Sequence, residues 1–457
     1  MTPTELLPAP PPHAAARRAL LAGSAGNLVE WYEFGVYGCF ATVIAANFFT
    51  PHPATPGGGA EALVATYASF ALAFFFRPVG ALLFGRIGDR FGRRPALVLV
   101  IGLMTLATTL IGLLPTRADI GAAAPWLLTF LRVLQGLSAG GEFGGAVSLM
   151  VEHAPPGRRG LYGAWQSFTV ALGLLAGAGT AAALAAVLPA EAMYAWGWRI
   201  PFLLALPLGT VALWLRTTLE EPPGAPPDNP PGLPGAADTA EAVDTTHSTD
   251  ATGPTGPTGL GEQARAVVLG IGRIMGWSAA GYAFLVVLPS HLQSALGASF
   301  RDALLATTLV NLGFAASILP AGLLSDRVGR RPVMLGGALG IAVLAHPLLH
   351  LLQSPGASPQ TRAAAVLTAG VLVGLLAGPG PAMLAEMFPR RVRCTGLGLS
   401  YALANAVFSG CAGLFITALT ARTADTAVPA HYAAGACALS AVALLTLRGN
   451  DHREPLR

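Results

Sequence analysis

Long apolar runs, each ended by a short polar or basic stretch, recur along the whole chain. A bilayer core requires about 20 apolar residues per helix, and twelve runs meet that requirement. They lie at residues 19–49, 62–85, 95–114, 124–151, 161–188, 198–217, 265–296, 302–324, 332–352, 363–388, 394–420 and 428–447. The pattern predicts an all-α membrane protein with twelve transmembrane helices.

One long polar interval separates the sixth run from the seventh. Residues 218–264 are rich in Pro, Gly, Thr and acidic residues, so this segment buries too little apolar surface to fold. We expect a disordered cytoplasmic linker there, between two six-helix bundles at 19–217 and 265–447. A disordered N-terminal segment, 1–18, and a short tail, 448–457, complete the predicted organisation.

The placement of the basic residues tests this count of helices. All 27 basic residues are Arg. If both termini lie in the cytoplasm, 19 of them fall on the cytoplasmic side, 5 on the opposite side and 3 within spans. Membrane insertion favours such a cationic excess on the cytoplasmic side. We therefore expect a multi-pass protein of the cell (inner or plasma) membrane with both termini in the cytoplasm.

Composition agrees with a membrane protein and narrows its chemistry. Charged residues make up only 11% of the chain, whereas soluble domains contain roughly 25%. The four cysteines are not spaced as a metal site or a disulfide framework, and no phosphate-cradling loop, H-E-x-x-H or G-x-S-x-G motif occurs. We expect no cofactor, no metal, no nucleic-acid partner and no enzymatic activity. The first apolar run exceeds the length of a signal peptide, so we expect no cleavage.

The two halves repeat one another. The stretch GRIGDRFGRRPALV (85–98) recurs as GLLSDRVGRRPVML (322–335), with seven of fourteen positions identical, each between the second and third helix of its half. A weaker repeat links EHAPPGRRG (152–160) to EMFPRRVRCTG (386–396). Parallel six-helix repeats are typical of transporters that hold their substrate between the halves, near the middle of the membrane.

The repeated G-x-x-x-D-R-x-G-R-R motif resembles the signature of the major facilitator superfamily. Within that superfamily, four stretches resemble the metabolite:proton symporter family, and most closely its proline and glycine-betaine branch. They read GNLVEWYEFGVYG, RVLQGLSAGGEFGGA, EHAPPGRRGLYGAW and WGWRIPFLLALPLG. The resemblance implies the major facilitator fold, in which two six-helix pseudo-repeats enclose a central cavity. Relatives in this family carry 2-oxoglutarate, shikimate or citrate.

Five ionisable side chains lie inside the first, second and fourth spans, where each is costly unless it faces a cavity or a partner. They are Glu30, Glu33, Arg77, Arg132 and Glu142. These spans contain three acidic residues and two Arg residues, so at least one acidic residue has no Arg of its own to neutralise it. Because burial and nearby charge shift carboxyl protonation in opposite directions, we interpret the acids as proton carriers or contacts for a substrate ammonium group. Purely structural ion pairs are the alternative.

Resemblance to the superfamily pattern R-x-x-Q-G implies that Arg132 and Gln135 take part in proton coupling. Aromatic residues near these charges are further candidates, because aromatic faces attract quaternary ammonium groups. They are Trp31, Tyr32, Phe34 and Tyr37 on the first helix, and Trp277 and Tyr282, with Arg273, on the seventh. Packing alone is the alternative for each. Asn311 and Asn405 are predicted to form hydrogen bonds between helices.

The resemblance also implies a latch on the cytoplasmic face. Asp89 is expected against the start of helix 11, and Asp326 against the start of helix 5. A carboxylate at a helix N-terminus is stabilised by about 0.3–1 kcal/mol. The other predicted members of the latch are Gly85, Arg93, Arg94, Arg330 and Arg331.

The favoured function is proton-coupled uptake of a small zwitterion such as proline or glycine betaine. A proton symporter of 2-oxoglutarate, shikimate or citrate and, less favoured, a proton-coupled exporter remain alternatives; helix 5 reads ALGLLAGAG, without the central Pro expected of antiporters. No motif in the sequence supports a membrane-embedded enzyme or a receptor. The expected partners are the substrate, protons and the lipid bilayer, with the chain acting as a monomer. No coiled-coil heptads follow the last span, so osmotic gating by such an extension is not expected.

Overall fold

The structure, a computed structural model, describes residues 12–51, 58–91, 93–140, 142–152, 154–218, 260–354, 356–389, 392–447 and 453. Twelve long helices follow one another in this part of the chain. The first bundle contains α1 (Pro12–Cys39, extended by Ala41–Ile44 and the π-helical Ala45–Phe49), α2 (Gly58–Phe91), α3 (Arg93–Leu113), α4 (Ala123–Ser138 and Glu142–Glu152), α5 (Arg159–Val187) and α6 (Arg199–Thr218).

The second bundle repeats this order. It contains α7 (Leu260–Gly281, the π-helical Tyr282–Val287 and Leu288–Ser294), α8 (Phe300–Val328), α9 (Arg330–Gln353), α10 (Pro359–Ala377 and Gly380–Met387), α11 (Arg393–Ala404, the π-helical Asn405–Gly410 and Ala412–Thr423) and α12 (Val428–Leu445). Short helical segments, Arg117–Ile120, Ala190–Ala192 and Met193–Gly197, lie in the connections. Residues 219–259, most of the predicted linker, lie outside the described residues.

Nine helices among the described residues are long and apolar enough to cross a membrane, and a bent pair ending in α6 makes a tenth. The other two of the predicted twelve are α1 and α4. Asn27, Glu30 and Glu33 lower the hydropathy of α1, and α4 is divided after Ser138. The twelve-helix prediction is therefore confirmed, and the two atypical helices carry most of the predicted functional charges.

The basic motif between α2 and α3 was expected to be a loop at 85–94. In the structure α2 continues to Phe91, and in the second half α8 continues to Val328. Gly329 alone reverses the chain there, with φ at 98°, before α9 begins. Because glycine adopts positive φ without a steric penalty, the reversal needs one residue and the motif is mostly helical.

Helices α2 and α4 pack backbone to backbone. A Cβ atom added at Gly136 would overlap the carbonyl oxygen of Ala73, and one at Gly140 would overlap that of Arg77. The second bundle repeats the contact between α8 and α10, where a Cβ on Gly370 would overlap the carbonyl oxygen of Val310. Small residues allow such close approach inside a bilayer, and here they bring Arg77 and Arg132 into one bundle core.

The two bundles meet along a seam formed by α1, α2, α4 and α5 on one side and α7, α8, α10 and α11 on the other. We call the face at which α2 joins α3 and α8 joins α9 the Arg-rich face, and the other the opposite face. Helices α3, α6, α9 and α12 pack on the outside of this frame. The seam is therefore where side chains from both halves can reach one volume.

We expect Gly136→Ala to lower the free energy of unfolding by about 1–3 kcal/mol, because the added methyl group forces α2 and α4 apart. Unfolding of the purified protein in detergent measures the change. Gly102→Ala on α3 is the matched control, since an added Cβ there meets nothing within 4 Å. Equal stability of the two variants would show that the backbone contact between α2 and α4 is not tight.

Candidate functional site in the seam

A small cavity lies in the seam between the two bundles. Its polar and aromatic wall consists of Trp31, Trp277, Ser278, Tyr282, Phe314, Tyr401 and Asn405. Tyr282 and Asn405 are the first residues of the π-helical segments of α7 and α11. Single π turns within α-helices are frequent at functional sites, and both of these open toward the cavity.

Contacts between the bundles close the seam toward the opposite face. The hydroxyl groups of Tyr67 on α2 and Ser290 on α7 share a hydrogen bond, with 2.7 Å between their oxygen atoms. Thr42 of α1 donates a 3.0 Å hydrogen bond to Gln293 of α7. The last segment of α7 is thus tied to the first bundle by two side-chain hydrogen bonds, neither of which the sequence pattern predicted.

Ionic contacts close the seam toward the Arg-rich face. Both carboxylate oxygens of Asp326 accept hydrogen bonds from the first turn of α5, at 2.7 Å from the Gly160 N–H and 2.9 Å from the Leu161 N–H. Arg330 donates to Asp326 at 2.7 Å and to Glu386 at 3.0 Å. Asp326 occupies the position expected for it; its role as a latch stays a prediction.

A second ionic contact crosses the seam at this face. Arg393 at the start of α11 pairs with Glu152 at the end of α4, with 2.5 Å between Nη1 and Oε1. Glu152 and Glu386 occupy equivalent positions in the weaker sequence repeat, which is the signal that could have identified both acids. Arg331 forms no ion pair with any described residue. Gly85 lies within α2, and the side chains of Asp89, Arg93 and Arg94 lie outside the described part of the structure.

Glu30 and Arg77 form a buried ion pair in the first bundle, with 3.1 Å between Oε1 and Nη2. The Arg77 guanidinium also lies 4.7 Å from the centre of the Phe34 ring and 4.3 Å from that of Phe74. The centre of the Trp31 ring, which lines the cavity, lies 5.7 Å from the same guanidinium group. The ion pair therefore lies behind the aromatic wall of the cavity.

No carboxylate group among the described residues pairs directly with Arg132. Its guanidinium group lies against aromatic rings instead. Its guanidinium lies 3.8 Å from the Tyr37 ring and 4.9 Å from the Phe70 ring. Its Nη1 donates a 2.6 Å hydrogen bond to Gln135 Oε1. The sequence analysis missed Phe70 and Phe74, although they precede Arg77 by seven and three residues, which places all three on one face of α2.

A chain of hydrogen bonds connects Arg132 to Glu33. Gln135 Nε2 donates to Thr108 Oγ1 at 2.5 Å, and Thr108 Oγ1 donates to Glu33 Oε2 at 2.5 Å. Glu33 is 1% exposed, so its carboxyl group has no route to bulk water in this conformation. Thr108 was not predicted; the signal for it is a run with three threonines, TLATTL, inside an otherwise apolar span.

The predicted aromatic candidates divide into two groups. Trp31, Trp277 and Tyr282 line the cavity. Tyr32 and Tyr37 do not line it: Tyr32 donates to the Pro201 carbonyl group of α6 at 2.9 Å, and the Tyr37 hydroxyl group lies 2.7 Å from that of Ser69. Both hydroxyl groups are bound inside the first bundle, which orients the two rings away from the cavity.

Three other predicted polar residues have different positions. Arg273 donates to Thr446 beside α12 and does not line the cavity. Asn311 hydrogen-bonds to the Leu285 carbonyl group, which confirms the predicted bond between helices. The same prediction was wrong for Asn405, which bonds within α11 and lines the cavity. The second segment of α4 begins at Glu142, and its side chain lies outside the described residues.

Two equivalent bundles around a seam cavity are the architecture of a membrane transporter rather than an enzyme. The family model "Sugar (and other) transporter" matches residues 19–224, and "Major Facilitator Superfamily" matches residues 267–457. The xylose transporter XylE from E. coli, in a partially occluded inward-open conformation, superposes with a TM-score of 0.67 at 17% identity, covering 94% of this chain and 97% of XylE. That likeness establishes the fold.

Curated relatives establish the family. The proline/betaine transporter of Escherichia coli (strain K12) is 31% identical, over 96% of this chain and 85% of the relative. The alpha-ketoglutarate permease of the same strain is 34% identical over 90% and 88%, and the citrate-proton symporter of Klebsiella pneumoniae is 34% identical over 94% and 94%. The chain belongs to the major facilitator superfamily and, within it, to the metabolite:proton symporter family.

We expect Arg330→Ala to destabilise the folded protein by about 3–5 kcal/mol, because the buried Asp326 would lose its guanidinium partner and the buried Glu386 would lose the nearer of two, with Arg159 remaining at 4.0 Å. Thermal unfolding in detergent measures the loss. Arg331→Ala is the control, with an expected change within about 0.5 kcal/mol. Similar losses in both variants would contradict the assignment of this contact to Arg330.

Proposed function

We propose that this protein takes up a small zwitterion, such as proline or glycine betaine, together with protons, by exposing the seam cavity alternately to each face. The wall of the cavity supports this proposal most directly: the described residues that line it include five aromatic residues and contain neither a carboxylate nor a basic side chain. Aromatic faces attract alkylated ammonium groups, whereas a di- or tricarboxylate needs cationic partners to leave water.

The two candidate cations near the cavity support the same choice. Arg77 is already paired with Glu30, and Arg132 is hydrogen-bonded to Gln135 and stacked on aromatic rings. A ligand carboxylate would have to displace these contacts. A carboxylate symporter of the 2-oxoglutarate or citrate type remains the second candidate, because relatives with those names are as similar to this chain as the proline/betaine transporter is.

Proton coupling is assigned to the acids of the first bundle. Among the described residues, hydrogen bonds join Glu33 to Arg132 through Thr108 and Gln135, and a movement of α3 or α4 would break this chain. Glu30, paired with Arg77, and Glu142 are the other proposed carriers. Alternating access requires contacts that close the cavity toward each face, because the contacts at the Arg-rich face and those at the opposite face must open in turn.

The proposed setting is the cell membrane, with both termini, the linker 218–264 and the Arg-rich face in the cytoplasm. The distribution of Arg supports this orientation. Large apolar side chains, such as Leu82 on α2, Trp126 on α4 and Val343 on α9, are exposed, which fits contact with lipid. A monomer contains the complete cavity, so we propose that a monomer transports.

Substituting Trp277 should weaken substrate binding without unfolding the protein. We expect Trp277→Leu to raise the KM for proline or glycine betaine about ten-fold, since a desolvated cation–π contact contributes on the order of 1–2 kcal/mol. Trp277→Phe should retain most of the affinity. Trp126→Leu, which removes a 76% exposed ring on α4, is the control. An unchanged KM in Trp277→Leu would place the substrate elsewhere.

Uptake into proteoliposomes tests the function itself. Proline, glycine betaine, 2-oxoglutarate and shikimate are offered in parallel, with the external solution more acidic than the lumen. We expect accumulation of proline or glycine betaine that a protonophore abolishes and that Glu30→Gln or Glu142→Gln reduces. Accumulation of 2-oxoglutarate or shikimate alone would establish the carboxylate alternative. Uptake that ignores the pH gradient would identify a uniporter.

A further inference from the structure

Thr108 is the one side chain that joins Glu33 to the Gln135–Arg132 pair among the described residues. Its hydroxyl oxygen accepts a hydrogen bond from Gln135 Nε2 at 2.5 Å. Its single hydrogen has two acceptors within reach, Glu33 Oε2 at 2.5 Å and the Met104 carbonyl oxygen at 3.0 Å. A hydroxyl group has one donor and two acceptor lone pairs, so Thr108 can serve only one of these acceptors at a time.

The ionised state of Glu33 selects one arrangement. A carboxylate only accepts hydrogen bonds, so the Thr108 hydrogen points to Glu33. All bonds then run in one direction, from the Arg132 guanidinium through Gln135 and Thr108 to the carboxylate. Hydrogen bonds aligned in this way polarise one another. The cation and the anion are thus coupled through two neutral side chains.

The protonated state of Glu33 selects the other arrangement. A proton added to Oε2 makes that oxygen a donor, and Thr108 Oγ1 accepts from it while still accepting from Gln135. The Thr108 hydrogen then turns to the Met104 carbonyl group, which is already in range. Every polar atom of Thr108 remains satisfied in both states. Thr108 keeps its own hydrogen, and the added proton stays on Glu33.

We propose that Thr108 is a positioning residue of proton coupling: its hydroxyl group reverses its hydrogen bond to Glu33 when the proton binds, and this releases Arg132 and Gln135 from the carboxylate. The inference rests on the proposed function of Glu33 as a proton carrier. The Gln135–Thr108 hydrogen bond between α4 and α3 persists in both states, but it is weaker once the chain is no longer aligned, because aligned hydrogen bonds polarise one another. Protonation of Glu33 thereby loosens the contact between α3 and α4 without breaking it.

The charged and titratable groups around Glu33 come from several elements. Glu30 and Tyr32 lie on its own helix, and Arg132 acts on it from α4. Arg77 on α2 and Tyr282 on α7 act on Arg132 in turn. Helix α3 has no ionisable residue after Arg94, so Thr108 acts on Glu33 by hydrogen bonding alone.

The test compares Thr108→Val, which keeps the shape and removes the hydroxyl group, with the wild type. Uptake of proline or glycine betaine into proteoliposomes is measured across external pH, and exchange of the same substrate is measured at equal pH on both sides. Removing the donor destabilises the carboxylate form more than the neutral form, because bonds to charged groups are the stronger ones. We expect the pH of half-maximal uptake to rise by about one unit, with exchange reduced by less than about two-fold.

Two further variants separate coupling from structure. Thr108→Ser keeps the hydroxyl group and should restore the wild-type pH of half-maximal uptake. Thr109→Val is the matched control: Thr109 is buried on the same helix and donates only to the Thr105 carbonyl group within α3. If Thr108→Val does not insert in the membrane, Thr108→Ala carries the same test, since it removes the hydroxyl group and adds no volume.

The outcomes distinguish this inference from the proposed function. If wild-type uptake depends on the pH gradient and Thr108→Val or Thr108→Ala keeps the wild-type pH profile, Thr108 has no part in coupling, while proton symport stands. A shift of equal size in Thr109→Val would likewise overturn the assignment, because it would reflect packing of α3. Wild-type uptake that is indifferent to pH would overturn the proposed function itself.

Discussion

Two guanidinium groups held inside an apolar six-helix bundle impose the constraint that shapes the rest of this protein. A charge in the middle of a membrane is tolerated only with a partner or a polar cavity. Arg77 is stabilised by Glu30 and two phenylalanine rings, and Arg132 by Gln135 and two other aromatic rings. These contacts hold α1, α2 and α4 against one another.

The two halves share one arrangement of helices but differ in the side chains that these helices place inside the bundle and along the seam. The backbone contact between α2 and α4 has its counterpart between α8 and α10, and Glu152 has its counterpart in Glu386. The Glu30–Arg77 ion pair and the hydrogen-bond chain from Arg132 to Glu33, however, lie in the first bundle, whereas the second bundle lines the cavity mainly with neutral aromatic and polar groups from α7 and α11. Charge chemistry and most of the cavity wall therefore come from different halves, and relative movement of the halves alters both.

Relatives named for zwitterions and relatives named for carboxylates resemble this chain to a similar degree, so overall likeness does not select a substrate class. Among the described residues that line the cavity, only Trp31 belongs to a stretch that resembles the metabolite:proton symporter family. A ligand charge bound in the cavity must be desolvated by the side chains of the wall. We therefore expect the substrate class to depend on the wall more than on the family-like stretches.

The sequence by itself determined the number of spans, the six-plus-six repeat and which helices carry buried charge, because span length and hydropathy are local and each charge inside a span is conspicuous. It also placed Trp31, Trp277 and Tyr282 among the candidates that reach the cavity. Only the tertiary structure revealed Thr108 between Glu33 and Gln135, Tyr67 opposite Ser290, and the departure of Tyr32 and Tyr37 from the cavity wall. Those facts depend on contacts between residues 27 to 223 positions apart. They also depend on which way a ring faces around a helix that is buried on every side, where hydrophobic periodicity carries no information.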